Sequence, residues 1–245
     1  MAKKAQKILK LPKPLAPDIV LVPRKVRALT PNQEQAFRAW GADKHLLLQG
    51  AAGTGKSFIS LHLTLTELLK QHEIPLFEKI LIIRSVVPSR EIGFLPGTID
   101  EKIQIYEAPY RIICNDIFRR HDAYDILKSQ EKVVFETTSY LRGVTLNKSL
   151  IIVDEIQNMS YQELSTVITR VGDGCRVIFS GDFHQSDLCR PIERDGVRHF
   201  TKILALIDDF EIVNFTYEDI VRSALVKKFL MAEGRYRSTI VQDPS

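Results

Sequence analysis

Residues 50 to 57 read GAAGTGKS, a glycine-rich run closed by a lysine and a hydroxyl. The pattern G-x-x-x-x-G-K-[ST] is complete, and it is a cradle for a phosphate chain. Gly50, Ala51, Ala52, Gly53, Thr54 and Gly55 would turn their amides inward, since the glycines tolerate the backbone angles that close such a loop. Lys56 would reach the β- and γ-phosphates, and Ser57 would ligate Mg2+. An ordinary strand–helix turn is the plainer reading of glycines alone, but it leaves the Lys-Ser pair unused. The other half of such a site is an acid at a strand end. LIIVDEIQN supplies Asp154 after four apolar residues, placed to hold Mg2+ through a water. Glu155 beside it can accept a proton from an attacking water, which favours hydrolysis over transfer to a second substrate. A third stretch, SGDFHQSDL, puts Asp182 at a strand end and Gln185 three residues on, where an amide could touch both γ-phosphate and water. His184 between them lacks neighbouring ligands and reads as structural. Upstream, Gln33 is a candidate for the adenine edge, which would favour ATP over GTP.

These groups need elements to carry them. HLLLQG is a short buried strand running straight into the glycine loop, and KSFISLHLTLTELLKQ follows with apolar positions three and four apart. KILIIRS, KVVFETT, SLIIVDE, CRVIFSGD and FEIVNF read as further strands. Helices are expected at TPNQEQAFRAW, with Thr30 as cap and Pro31 at the first helical position, at YQELSTVITRVG, and across YEDIVRSALVKKFLMAEG. Apolar strands alternating with amphipathic helices imply an α/β domain: a mostly parallel sheet covered on both faces, of the RecA-like P-loop type. Residues 85 to 132 are the least regular part and read as an insertion of loops and short helices, longer than an idle connection needs.

At 245 residues the chain has room for one sizeable domain, taken as 30–245, behind a basic extended arm at 1–29. The net charge is only +4, but the arm holds eight lysines and arginines against Asp18 alone, so the remainder is net negative. Such an arm could hold a polyanion by releasing its counterions, or serve as a solvated tail. No apolar run reaches membrane-span length, so no membrane is expected. Three scattered cysteines suit a reducing, cytoplasmic setting and build no zinc cluster by themselves.

Taken in order, TPNQ, GAAGTGKS, IGFLPG with DEK, TSYLRG, VDEIQN, ITRVG, SGDFHQSDL and EDIVRS resemble the PhoH family over about residues 28 to 233. That family resembles the first motor domain of superfamily 1 helicases. The resemblance implies ATP binding and hydrolysis, with RNA-linked helicase activity in relatives that carry an extra nuclease domain. Three positions depart from the family pattern: Ser85 where a proline is common, Ile156 where an alanine is common, and Ser57 where a threonine is common.

Helicases of that superfamily close ATP between two motor domains, the second supplying an arginine. This chain offers one such domain. An arginine in trans is therefore expected, at the seams of a homo-oligomeric ring, with Arg222 and Arg170 as candidates and a hexamer as the expected count. RNA or single-stranded DNA would meet Arg84, Thr138, Tyr140 and Arg142: a ring for stacking and a cation for phosphate. The alternative for these positions is structural, Tyr140 in the core and Arg142 bracing a loop. Two other functions compete: an ATP-regulated assembly module with slow hydrolysis, and a thymidine-kinase-like phosphotransferase, which generally carries a four-cysteine zinc ribbon.

Overall fold

The computed structural model describes residues 19–70, 75–85, 99–138, 143, 145–182 and 191–242. Six strands run β1 (His45–Gly50), β2 (Lys79–Arg84), β3 (Val133–Thr137), β4 (Ser149–Asp154), β5 (Arg176–Gly181) and β6 (Phe210–Phe215). All pair in parallel, in the spatial order β3-β2-β4-β5-β1-β6. Each coincides with one of the six apolar runs of the sequence.

Parallel strands buried on both faces need helices on both sides. One face is covered by α1 (Pro31–Gly41), α2 (Lys56–Leu68), α3 (Ile99–Phe118) and α4 (Ala123–Ser129), which pack on Leu46, Leu48, Ile80, Ile82, Leu150 and Ile152. The other is covered by α5 (Tyr161–Ile168) and α6 (Pro191–Leu204), over Leu47, Leu81, Ile83, Ile151, Val153 and Phe179. The last helix, α7 (Ala224–Gln242), follows a 3-10 turn at Tyr217–Asp219.

Local signals explain the helix starts. Thr30 accepts a hydrogen bond from Gln33 N at 3.3 Å, with Pro31 at the first position of α1. Ser160 and Glu163 form a reciprocal capping box at the start of α5.

Three expectations change. The stretch expected to hold short helices contains α3, 20 residues long with Pro109 inside it. A helix interior normally excludes proline because it removes a backbone donor, and that penalty hides α3 from a periodicity reading. Helix α6 has no counterpart among the expected elements, and YEDIVRS is a 3-10 turn plus a non-helical link rather than the start of α7. Residues 19–29, expected as part of an extended arm, lie against the domain. Arg24 N donates to Ile117 O at 3.0 Å, Arg24 Nη2 donates to Asp116 Oδ2 at 2.6 Å, and Leu21 is buried. Among the described residues no helix is long and apolar enough to cross a membrane.

Candidate active site

Open parallel sheets bind ligands beyond the carboxyl ends of their strands. Here that edge gathers Gly50 from β1, Arg84 from β2, Asp154 from β4 and Gly181 from β5. A cavity of about 590 Å³ lies against them, walled by the glycine loop, Gln33, Arg84, Tyr110, Asp154, Glu155 and Arg222 among others.

The loop is shaped by close approaches. Gly50 has φ +129, and a Cβ there would stand 1.9 Å from Phe215 O, so only glycine lets β1 turn off beside β6. Gly53 and Gly55 have φ +78 and +88. Thr54 Oγ1 closes the turn on Ala51 O at 3.0 Å. Lys56 Nζ donates to Gly50 O at 2.7 Å and Ala51 O at 2.8 Å, a curled pose that lies where phosphate oxygens would compete for it. Burial pulls the Lys56 ammonium below its ordinary pKa, against the opposing pull of Asp182, Asp154 and Glu155.

Asp154 is held by four donors. Ser57 Oγ (2.9 Å) and Tyr110 Oη (2.8 Å) reach Oδ2, while Ser180 Oγ (2.6 Å) and Glu155 N (3.0 Å) reach Oδ1. A carboxylate fixed this way cannot swing, and Ser57 Oγ beside it completes a pair of hard oxygen donors. One carboxylate and one hydroxyl suit Mg2+, which keeps several waters and takes the rest of its shell from phosphate. No group of three or more acidic, histidine or cysteine ligands exists among the described residues, so a metal cage built from protein alone is not offered there.

Glu155 follows in a left-handed conformation, φ 55 and ψ 42, strained for a non-glycine residue. That twist takes its side chain off the strand's alternation. Gln157 Nε2 donates to Glu155 Oε2 at 2.5 Å, and Gln157 Oε1 accepts from Asp182 N at 3.0 Å. One amide thereby ties the end of β4 to the end of β5. Gly181 is required for it, because a Cβ there would lie 2.7 Å from both Gln157 Oε1 and Ile156 Cγ1. Burial, then the neighbouring Asp154 charge, raise the Glu155 pKa despite Arg84 and the Gln157 bond.

The remaining expected residues fall in different places. Gln33 is buried at the cavity wall, its Nε2 donating to Thr54 O at 3.0 Å and its Oε1 accepting from Leu29 N at 2.9 Å. It therefore braces the glycine loop. Arg222 lines the cavity of its own chain, its Cγ close enough to Gly53 to stand 3.0 Å from a Cβ placed there, and Val221 N donates to Gly53 O at 3.1 Å. Arg170 lies after α5, beside Leu146 and ahead of β5, at the opposite edge of the sheet. Arg84, expected to meet nucleic acid, is instead the register partner of Asp154 and faces the cavity. Thr138, expected beside it, is buried: its Oγ1 donates to Glu163 Oε1 at 2.6 Å, as Ser85 Oγ does at 3.1 Å. Gln185, Tyr140 and Arg142 lie outside the described residues.

Three further residues of the site, Tyr110, Ser180 and Gln157, are absent from the sequence-based candidates. Gln157 lies inside the DE-x-QN stretch and is legible there; Tyr110 and Ser180 carry no spacing signal.

The PhoH-like protein family model matches residues 25–233. The chain belongs to the PhoH-like family. It is 33% identical over 216 residues to the PhoH-like protein of Mycobacterium tuberculosis, covering 87% of this chain and 59% of that one. The PhoH-like protein of Mycobacterium leprae is 34% identical over 223 residues, with 89% and 62% covered. Protein PhoH of Escherichia coli is 32% identical over 185 residues, with 75% and 51% covered. This PhoH-like chain thus spans between 51% and 62% of the length of these three curated relatives. Among solved structures, the large terminase of a thermophilic bacteriophage in complex with ADP aligns with TM-score 0.48 and 13% identity, over 81% of this chain and 48% of that one. Unliganded Pif1 from Bacteroides aligns with TM-score 0.41 and 16% identity, over 81% and 43%. The PhoH-like chain has the α/β P-loop NTPase fold, with its nucleotide motifs assembled at one edge.

Proposed function

We propose that this PhoH-like chain hydrolyses ATP with Mg2+ and uses the cycle on RNA or single-stranded DNA as a homo-oligomeric, helicase-like motor. The observation that carries hydrolysis is the Glu155 carboxylate, twisted out of the strand, fixed by Gln157, and adjacent to a carboxylate already saturated by donors. Such a base takes the proton of a water attacking the terminal phosphate. Lys56 and the loop amides balance the charge that develops on the phosphate oxygens, and Mg2+ held by Ser57 and Asp154 supplies further charge neutralisation when bound.

Nucleic acid is supported by the basic charge of residues 1–29. Ring assembly is supported by α7, which turns one face to Tyr217 and leaves Leu225, Phe229 and Tyr236 exposed at 78%, 64% and 69%. Arg170, on the edge opposite the cavity, would face a neighbour's site in head-to-tail packing, a geometry that can close a ring. Arg222 already belongs to its own subunit's cavity, so the trans arginine rests on Arg170.

Phosphate release is measured with and without a short RNA or DNA strand, alongside solution mass with and without ATP. Strand-stimulated release by an oligomer is expected, and Arg170→Ala should bind ATP without turning it over. Flat turnover by a monomer would leave the assembly-module reading in its place, and phosphorylation of a nucleoside would replace both.

A further inference from the structure

We propose that Arg84 is the arginine that reads the terminal phosphate within the same subunit, a role resting on the ATP-hydrolysing reading above. The position follows from register. On β2, Ile80 and Ile82 face the α2–α3 layer, and on β4 Leu150 and Ile152 face the same way. Arg84 and Asp154 continue those two rows and are paired across the strands, so both side chains emerge at the end of the cavity where Lys56, Ser57 and Glu155 converge.

The guanidinium is supported as a preorganised group is. Its Cζ stands 5.6 Å from the centre of the Tyr106 ring, and it interacts electrostatically with Tyr110. Tyr110 is fully buried and donates its own hydrogen bond to Asp154 Oδ2 at 2.8 Å. Both tyrosines come from α3, so one helix sets Arg84 and the metal carboxylate together. Burial would lower the Arg84 pKa, but Tyr110, Glu155 and Asp154 outweigh it and keep the guanidinium charged.

The chemistry at this end of the cavity calls for a planar cation. Lys56 is a single point donor on a flexible stem, whereas a guanidinium forks onto two oxygens of one phosphate. A nucleoside diphosphate has no group that far along, so Arg84 distinguishes ATP from ADP and contributes to turnover after the ground state is bound. Charge balance with Glu155 and Asp154 would be the whole of its role if no such discrimination existed.

The test compares wild type with Arg84→Ala, and with Arg84→Gln should the alanine variant lose ADP binding, by measuring affinities for ADP and a slowly hydrolysed ATP analogue, plus turnover. ADP affinity should stay within about threefold, while the analogue weakens by about tenfold or more. Turnover should fall by at least about 100-fold. An unchanged ratio of analogue to ADP affinity in the variant that still binds ADP overturns the assignment, as does the same loss in Arg222→Ala but not in Arg84→Ala. Wild-type protein that binds neither nucleotide would instead overturn the hydrolytic reading and take this role with it.

Discussion

Tyr110 Oη donates to Asp154 Oδ2 at 2.8 Å from the middle of a helix that carries none of the nucleotide motifs. Asp154, the carboxylate proposed to hold Mg2+, is therefore positioned by α3 as well as by the glycine-loop serine. Orienting groups of this kind are worth about 10- to 100-fold in metal affinity. Tyr110→Phe keeps the ring packed against Phe135 and removes only the donor. The Mg2+ concentration for half-maximal turnover should rise about tenfold, with the melting temperature shifted by a few degrees at most. A metal titration of the variant checks it.

On the hydrolytic reading proposed above, Glu155 separates binding from turnover. Glu155→Gln retains the bond geometry to Gln157 but cannot accept a proton. Turnover should fall by about 10²- to 10⁴-fold with ATP affinity near wild type, measured by phosphate release and by equilibrium binding.

Glu163 ties the ends of β2 and β3 to α5 and closes that helix's own cap at Ser160. Burial pushes its pKa up, but bonds from Thr138, Ser160 and Ser85 outweigh that and leave it below the ordinary glutamate value. A carboxylate with a lowered folded pKa adds stability at pH above its unfolded value of about 4.3, and that stability is lost as pH falls through the folded value. Wild type should therefore lose stability in that acid window more steeply than Glu163→Gln, which has no proton to take up there. Urea unfolding midpoints from pH 6 down to pH 3 give the comparison.

Gly50 is the tightest position of the phosphate loop. With a Cβ placed 1.9 Å from Phe215 O, Gly50→Ala must push β1 from β6 or unfold the loop. The cost should be about 3 kcal/mol in chemical unfolding, with nucleotide binding lost. Gly143→Ala is the control: a Cβ there meets nothing within 4 Å, though its φ of +83 carries backbone strain of its own.

From the sequence alone came the α/β class, all six strands, the phosphate loop and the acidic strand end, because each is a local pattern. An apolar run ending in Asp-Glu, or a glycine run ending in Lys-Ser, states its chemistry within nine residues. What only the tertiary structure decided is which way the side chains at the strand ends point. KILIIR and SLIIVD are apolar on both faces, so they show no alternation from which to read a facing. Arg84 could as well have looked outward toward nucleic acid; its pairing with Asp154 turned it into the cavity. Tyr110 was hidden for a related reason. Its helix carries Pro109, and its partner lies 44 residues away, brought near only when α3 packs on the same face as α2. Arg222 reached its own glycine loop because Val221 bonds to Gly53, a contact set by how the chain leaves β6. Local pattern determines which groups exist; the register and packing of doubly buried strands determine which of them meet.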